Sequence, residues 1–306
     1  MKKASVLAAV LTAVLCISGN VLAACPSADV TGDCIVNLAD FAKMAEQWMT
    51  EGTPFPILNG MTWVSINDSG AGMKDGSGNP ISHGGFTGEM SKYETTNDQY
   101  CQFLNAAYAS YDITVGGSTV YGANGLNSGT DFAGQVYYNL AGAGYTYDNA
   151  TNGGAARINW TGTAFTVDSG FENHPVTFVS WYGSTAFASY YGWRLPTEWE
   201  WQAVADYTGS FNYGCGITIT NSIANYSGSA HPNGTTAVGA FGTYGYGMCD
   251  MAGNVWEWTD SIYSGSYRVI RGGGWYNIDS YCSVSYRNNY NYPDNSSYSR
   301  GFRVCR

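Results

Sequence analysis

Asp29, Thr31, Asp33, Asn37 and Asp40 place oxygen-bearing side chains at positions 1, 3, 5, 9 and 12 of one loop, and Ile35 at position 7 can add its backbone carbonyl. Hard Ca²⁺ ions favour such oxygen cages, and this is the spacing of an EF-hand loop. Cys34 stands at position 6, where such loops use Gly. The alternative is an acidic, capped turn that holds no metal. A second carboxylate pair, Asp250 and Glu257, flanks a Gly253-Asn254 turn whose bent backbone can aim carbonyls at a hard cation. Here the alternative is a tight turn in which Asn254 and the neighbouring tryptophans pack. Glu198 and Glu200 invite an acid–base reading. However, Thr197 to Glu200 is a capping box, with Glu200 reaching back to its N-cap. Glu198 then falls in the first helical turn, where negative charge suits the helix dipole. That pair is expected to be structural.

The elements that would position these groups are short. Leu38, Phe41, Ala45 and Trp48 recur at helical spacing, so the loop should run into an amphipathic helix. Pro54 and Pro56 then break it, and residues 53–59 read as a linker. The segment 25–52 resembles one half of a dockerin repeat, without a second half. Beyond it, β-prone runs at 61–66, 176–180 and 269–270 are separated by Gly, Asn and Ser. Helices are expected over 97–108, over 184–191 and after Thr197. The expected class is an irregular, loop-rich α+β domain over 60–306.

Composition supports a folded, exported chain. Of 306 residues 44% are hydrophobic, enough for a core, and only 12% are charged, about half the usual share. Forty Gly and 25 Tyr point to tight turns and large rigid side chains. A formal charge of −10 argues against nucleic acid, whose phosphates demand clustered Lys and Arg. Lys2 and Lys3, an apolar run over 4–17 and the small residues before Cys25 read as a signal peptide over 1–24. Its removal takes the charge to −12. Leu22-Ala23-Ala24-Cys25 also fits a lipobox with Cys25 lipidated, and ordinary cleavage is the alternative. No later run approaches the ~20 apolar residues of a membrane span. The expected place is outside the cytoplasm, secreted or lipid-anchored. Loss of Cys16 leaves seven cysteines in an oxidising compartment, where disulfides are allowed but partners cannot be assigned from sequence.

An ordered set of motifs is more specific. Tyr93-Glu94-Thr-Thr-Asn97, His174-Pro175-Val176 and Gly192-Trp-Arg194-Leu-Pro196-Thr-Glu198 are followed by Asp250-Met-Ala-Gly253-Asn254-Val255-Trp256-Glu257. Arg271-Gly-Gly-Gly274-Trp275 and Gly301-Phe-Arg303 complete it. The chain resembles the formylglycine-generating-enzyme (sulfatase-modifying factor) family over nearly all of 60–306. The resemblance implies a C-type-lectin-like fold. It implies a structural calcium held by the Asp250 and Glu257 side chains and the Gly253 and Val255 carbonyls. Active members of that family oxidise a sulfatase Cys to formylglycine with O₂ and copper(I) bound by two cysteines, an ion that soft thiolates select. At those positions this chain has Asn277 and Cys282. An amide is a poor substitute for a thiolate on copper(I), so the full oxidase site is not expected. The alternative is an oxidase built on Cys282. The iron-dependent relatives need a histidine cluster, whereas His83, His174 and His231 are scattered.

Residues 276–299 are Tyr, Ser, Asn or Asp at 19 of 24 positions. Tyr offers contact area at low entropy cost and Ser and Asn offer adaptable hydrogen bonds, as in antibody paratopes. The stretch looks similar to the variable C-terminal region of lectin-fold proteins diversified by retroelements, although the composition can also be inherited from the family. The expected binding face is Tyr276, Tyr281, Tyr286, Arg287, Asn289, Tyr290, Tyr292 and Tyr298. Its expected partner is a protein, a sulfatase among them, or a glycan.

Overall fold

The computed structural model describes residues 36, 56–123, 132–142, 154–227 and 234–306. The signal peptide, Cys25 and the calcium loop (Asp29, Thr31, Asp33, Ile35, Asn37, Asp40) with its helix lie outside the described residues. Contacts divide the chain into Met1–Phe55 and Pro56–Arg306, and the second unit is described here.

Strand β1 (Trp63–Asp68) pairs antiparallel with β2 (Phe86–Ser91), Trp63 opposite Ser91. The expected strand at 61–66 is displaced by two residues because its partner, rather than local propensity, sets its ends. Helix α1 (Asn97–Ala109) opens with a capping box in which Thr96 accepts from the Gln99 amide and the Gln99 side chain returns to the Thr96 amide. Tyr100, Phe103, Leu104 and Ala107 follow at helical spacing and are all buried, so one stripe of the helix enters the core.

Strands β3 (Ile113–Gly116), β4 (Thr119–Gly122) and β5 (Val136–Asn139) form an antiparallel sheet, and β6 (Ile158–Trp160) pairs with β7 (Phe165–Val167). Helix α2 (Trp181–Tyr190) begins three residues before the expected start at 184, because Ser180 caps it by accepting from the Gly183 amide at 3.0 Å. The strand expected at 176–180 does not form. Phe178 takes φ +58° and Val179 makes only an isolated bridge to Tyr138, since Ser180 is committed to the helix end. Helix α3 (Glu198–Ala205) has the expected box: Thr197 Oγ1 accepts from the Glu200 amide, and Glu200 Oε2 from the Thr197 amide at 2.8 Å.

Four strands end the chain: β8 (Trp256–Ser264), β9 (Tyr267–Arg271), β10 (Asn288–Asn291) and β11 (Arg300–Gly301). Their order is β10-β9-β8-β11, with β11 parallel to β8 and the others antiparallel. Between β9 and β10 lies a short 3-10 turn, Asp279–Cys282. The main core gathers Tyr100, Phe103, Phe187, Trp256, Trp258 and Phe302, where Phe187 meets Phe302 edge-on at 5.2 Å and stacks on Tyr100 at 5.8 Å. The result is a loop-rich mixed α and β fold with three α-helices among the described residues.

Candidate functional site

The turn before β8 is built on unusual backbone. Asp250, Gly253 and Asn254 have φ of +57°, +81° and +60°. A Cβ at position 253 would lie 2.3 Å from the Asn225 carbonyl oxygen, so glycine is required there. Glu94, just past β2, reaches into this turn: its Oε2 accepts from Asn254 Nδ2 at 2.6 Å and its Oε1 from the Val255 amide at 3.1 Å. Asp250 Oδ2 accepts from the Gly239 amide at 2.6 Å. Glu257, the second residue of β8, accepts from Trp201 Nε1 (2.7 Å) and takes a two-pronged contact from Arg303, at 2.7 and 2.8 Å. Arg303 also donates to the carbonyls of Ser91, Lys92 and Cys249.

All four ionisable groups are buried. Burial first, and then the charges of Asp250 and Glu257, push the Glu94 carboxyl well above the usual carboxylate range. Burial pushes Asp250 up to about 6. Three carboxylates therefore share the field of one guanidinium, an excess of negative charge that favours an added proton or cation. Asp250, Gly253 and Val255 lie in the turn, and Glu257 follows it in β8. Among the described residues no three His, Cys, Asp or Glu converge as a metal cage, so any cation here would need the backbone carbonyls as well.

Glu198 and Glu200 are engaged structurally. Arg194 grips Glu200 with two bonds of 2.7 Å. Glu198 is buried between Arg287, at 2.5 Å, and Arg271, at 3.4 Å. Arg287 thus pairs with a carboxylate, a partner that spacing could not reveal, and keeps 34% of its side chain exposed. Arg271 and Arg303 were visible only as motif letters. In the fold each is a fully buried cation that ties loops to the terminal sheet, Arg271 through the Val284 and Tyr286 carbonyls.

Cys282 closes the 3-10 turn with no exposed surface, and burial pushes its thiol up to about 12. It is therefore protonated at neutral pH, not a thiolate. Asn277 spends its side-chain oxygen on the Gly274 amide at 3.0 Å. These two residues do not fit a two-thiolate copper site. Cys305 lies in a different buried cluster, bridged to Met90 and Arg194, and does not supply the missing ligand. His83 stacks on Trp199 at 3.7 Å, and His174 Nδ1 lies 2.9 Å from Thr235 Oγ1; His231 lies outside the described residues.

Among the described residues, five tyrosines of the C-terminal segment fall into three ring clusters. Tyr276 and Tyr298 group with Trp275. Tyr281 meets Tyr286 at 4.7 Å, and both border Trp256. Tyr292 packs at a tilt against Tyr267, whose hydroxyl donates to the Tyr292 hydroxyl at 2.7 Å. Tyr276 and Tyr292 are the exposed members, and Asn289 and Tyr290 belong to β10. Beside this segment lies a cavity of about 570 Å³, whose walls include Asp75, Asp206, Phe211, Tyr213, Asp279 and Ser283. It draws on three distant stretches of chain, so no local pattern marks it.

The profile of the sulfatase-modifying factor enzyme 1-like domain matches residues 68–306. The serine/threonine-protein kinase pkn1 of Chlamydia caviae is 36% identical over 174 residues, which cover 49% of this chain and 27% of that protein. The formylglycine-generating enzyme of Thermomonospora curvata is 33% identical over 169 residues, 44% of this chain and 55% of that enzyme. The chain thus spans about a quarter to about half the length of these relatives. In fold it is similar to Treponema denticola variable protein 1, with a TM-score of 0.53 at 18% identity, covering 80% of this chain and 94% of that one. By the match across most of its length, the chain belongs to the sulfatase-modifying factor enzyme 1-like (FGE-sulfatase) family.

Proposed function

We propose that this is an exported, calcium-stabilised binding member of the family, which engages a protein or glycan through residues 276–299 and does not oxidise a sulfatase cysteine. The observation that carries this reading is the pair Asn277 and Cys282. One is an amide used up in a turn, and the other is a thiol sealed from solvent and held protonated. Among the described residues the segment offers the exposed rings of Tyr276 and Tyr292 outward, beside Ile278, and large rigid aromatics are efficient contact residues.

The test is incubation of a Cys-X-Pro-X-Arg sulfatase peptide with the copper-treated protein and O₂, read by mass spectrometry. The expected result is an unchanged peptide beside an active family control. Conversion of the peptide Cys to an aldehyde, lost in Cys282→Ser, would establish the oxidase in place of this reading.

Calcium is the other part of the proposal. Asp250 and Glu257, with the Gly253 and Val255 carbonyls, would hold the ion, and its charge would offset the excess around Arg303. At an ion concentration about a hundredfold above Kd, the stabilisation is roughly 2.7 kcal/mol, or some 5–10 °C in Tm for a domain of this size. Melting is expected to shift by that amount between Ca²⁺ and a chelator, and Asp250→Asn is expected to lose the shift. Equal melting temperatures in wild type with and without Ca²⁺ would remove calcium from the proposal.

A further inference from the structure

Cys282 has a neighbour that the sequence did not suggest. Asn212 and Tyr213 each receive a bond into their carbonyls: Val284 donates to Asn212 at 2.9 Å, and Gly216 to Tyr213 at 2.9 Å. Tyr213 and Ser283 form an antiparallel bridge. The tight turn between Tyr213 and Gly216, with Gly214 and Cys215 at its tip, is thus held against the end of the 3-10 turn that carries Cys282. A disulfide needs the two Cα atoms about 4.4–6.8 Å apart, a span that two loop segments in direct contact can meet.

The two side chains share one small buried cluster with Ala224 and Ala252. Neither thiol has a good acceptor in the reduced form. Cys215 Sγ is 4.0 Å from the Thr218 carbonyl and Cys282 Sγ 3.9 Å from that of Ile278. A disulfide has no donor to satisfy, whereas two buried S–H groups do. Cys282 is also closely boxed in, since a Cβ on Gly273 would come within 2.5 Å of its sulfur. The other described cysteines, Cys101, Cys249 and Cys305, lie outside this cluster.

We infer that Cys215 and Cys282, unbonded thiols in this structure, are a redox pair that closes to a disulfide when the chain folds in an oxidising compartment. The bond staples the turn at 213–216 to the end of the 3-10 turn, beside the 570 Å³ cavity that Tyr213 and Ser283 line. One thiolate attacks a disulfide oxidant such as oxidised glutathione and forms a mixed disulfide, releasing one reduced glutathione. The second thiolate displaces the other glutathione. Two electrons pass to the oxidant, which leaves as two thiols, and the sulfur–sulfur bond remains in the protein. Closure takes place before both sulfurs are buried, because a buried thiol ionises poorly. Cys282 is then no longer available as a ligand or nucleophile.

The full chain, reduced and unfolded in urea, is refolded in a reduced/oxidised glutathione buffer, alkylated and digested with trypsin without reduction. Cys249 shares the tryptic peptide of Cys215, so Cys249→Ser is mapped alongside wild type. The expected result is a peptide of 195–268 linked to 272–287 in most molecules of both, separated by reductant. Wild-type protein is expected to melt roughly 5–15 °C lower after reduction. Cys215→Ser is expected to leave Cys282 open to alkylation, but only after unfolding. Full alkylation of both thiols in refolded wild type, or Cys282 linked to any other cysteine, overturns the inference. Either result leaves the proposed function standing, because Asn277 is still not a thiolate.

Discussion

Arg303→Met should destabilise the domain by about 3–5 kcal/mol, the usual cost of removing one partner from a buried ion pair. Glu257 would keep only the Trp201 contact among its three charge-assisted and polar bonds. The carbonyls of Ser91, Lys92 and Cys249 would also lose their donor. Glu94 and Asp250 would then face Glu257 without the guanidinium that now moderates them. Methionine keeps much of the arginine stem's bulk, so the loss reports charge and hydrogen bonds more than a cavity. Urea unfolding measures it. The double variant Arg303→Met/Glu257→Gln should recover part of the loss, because the stranded charge is gone. A single-variant cost under about 1 kcal/mol would mean that water or a bound ion already shields Glu257.

The second large effect is a pH dependence set by Asp206, the residue that caps the C-terminus of α3. Its Oδ1 accepts from the Gly209 amide at 3.0 Å, while its Oδ2 is buried with no partner. Burial, helped by the nearby Asp68 charge, pushes its carboxyl up to about 7. In the unfolded chain the same group titrates near 4. Between those two values the native state holds a proton that the unfolded state has released. Stability is therefore full below about pH 4, falls as pH rises toward 7 and levels off above it. The largest possible change from this group is about 4 kcal/mol. Asp206→Asn should flatten this part of the profile and leave the variant more stable than wild type at pH 8. Parallel profiles for the two proteins across pH 4–8, from urea midpoints, would show that the group ionises normally.

Local chemistry was legible where a few adjacent residues settle the outcome. The capping box at Thr197, the helix from Asn97 and the strand around Val269 could each be read because their partners lie within four residues or alternate regularly. The start of α2 was misplaced because an apolar run at 176–180 looks like a strand until Ser180 is seen to cap the next helix. The candidate site was half legible. Asp250, Gly253 and Val255 stand close in sequence in one turn, with Glu257 just after it in β8. Glu94, which completes that turn through Asn254 and Val255, comes from some 160 residues earlier, and no spacing rule joins the two. The tail's composition announced contact chemistry, but its division into three ring clusters depends on Trp256, Trp275 and Tyr267, which lie before it in the chain.

By itself, then, the sequence determined the family, the mixed and loop-rich class, the capped helix after Thr197 and the departure at Asn277, because these rest on residue identity and short-range geometry. Only the tertiary structure decided that Glu198 faces Arg287, that Arg303 neutralises Glu257, and that Cys282 is buried beside Cys215 and away from Cys305. Such pairings depend on which distant loops close against each other. In a fold with few long elements, loop closure is governed by total burial and by the satisfaction of buried charge, quantities that no single window of sequence contains.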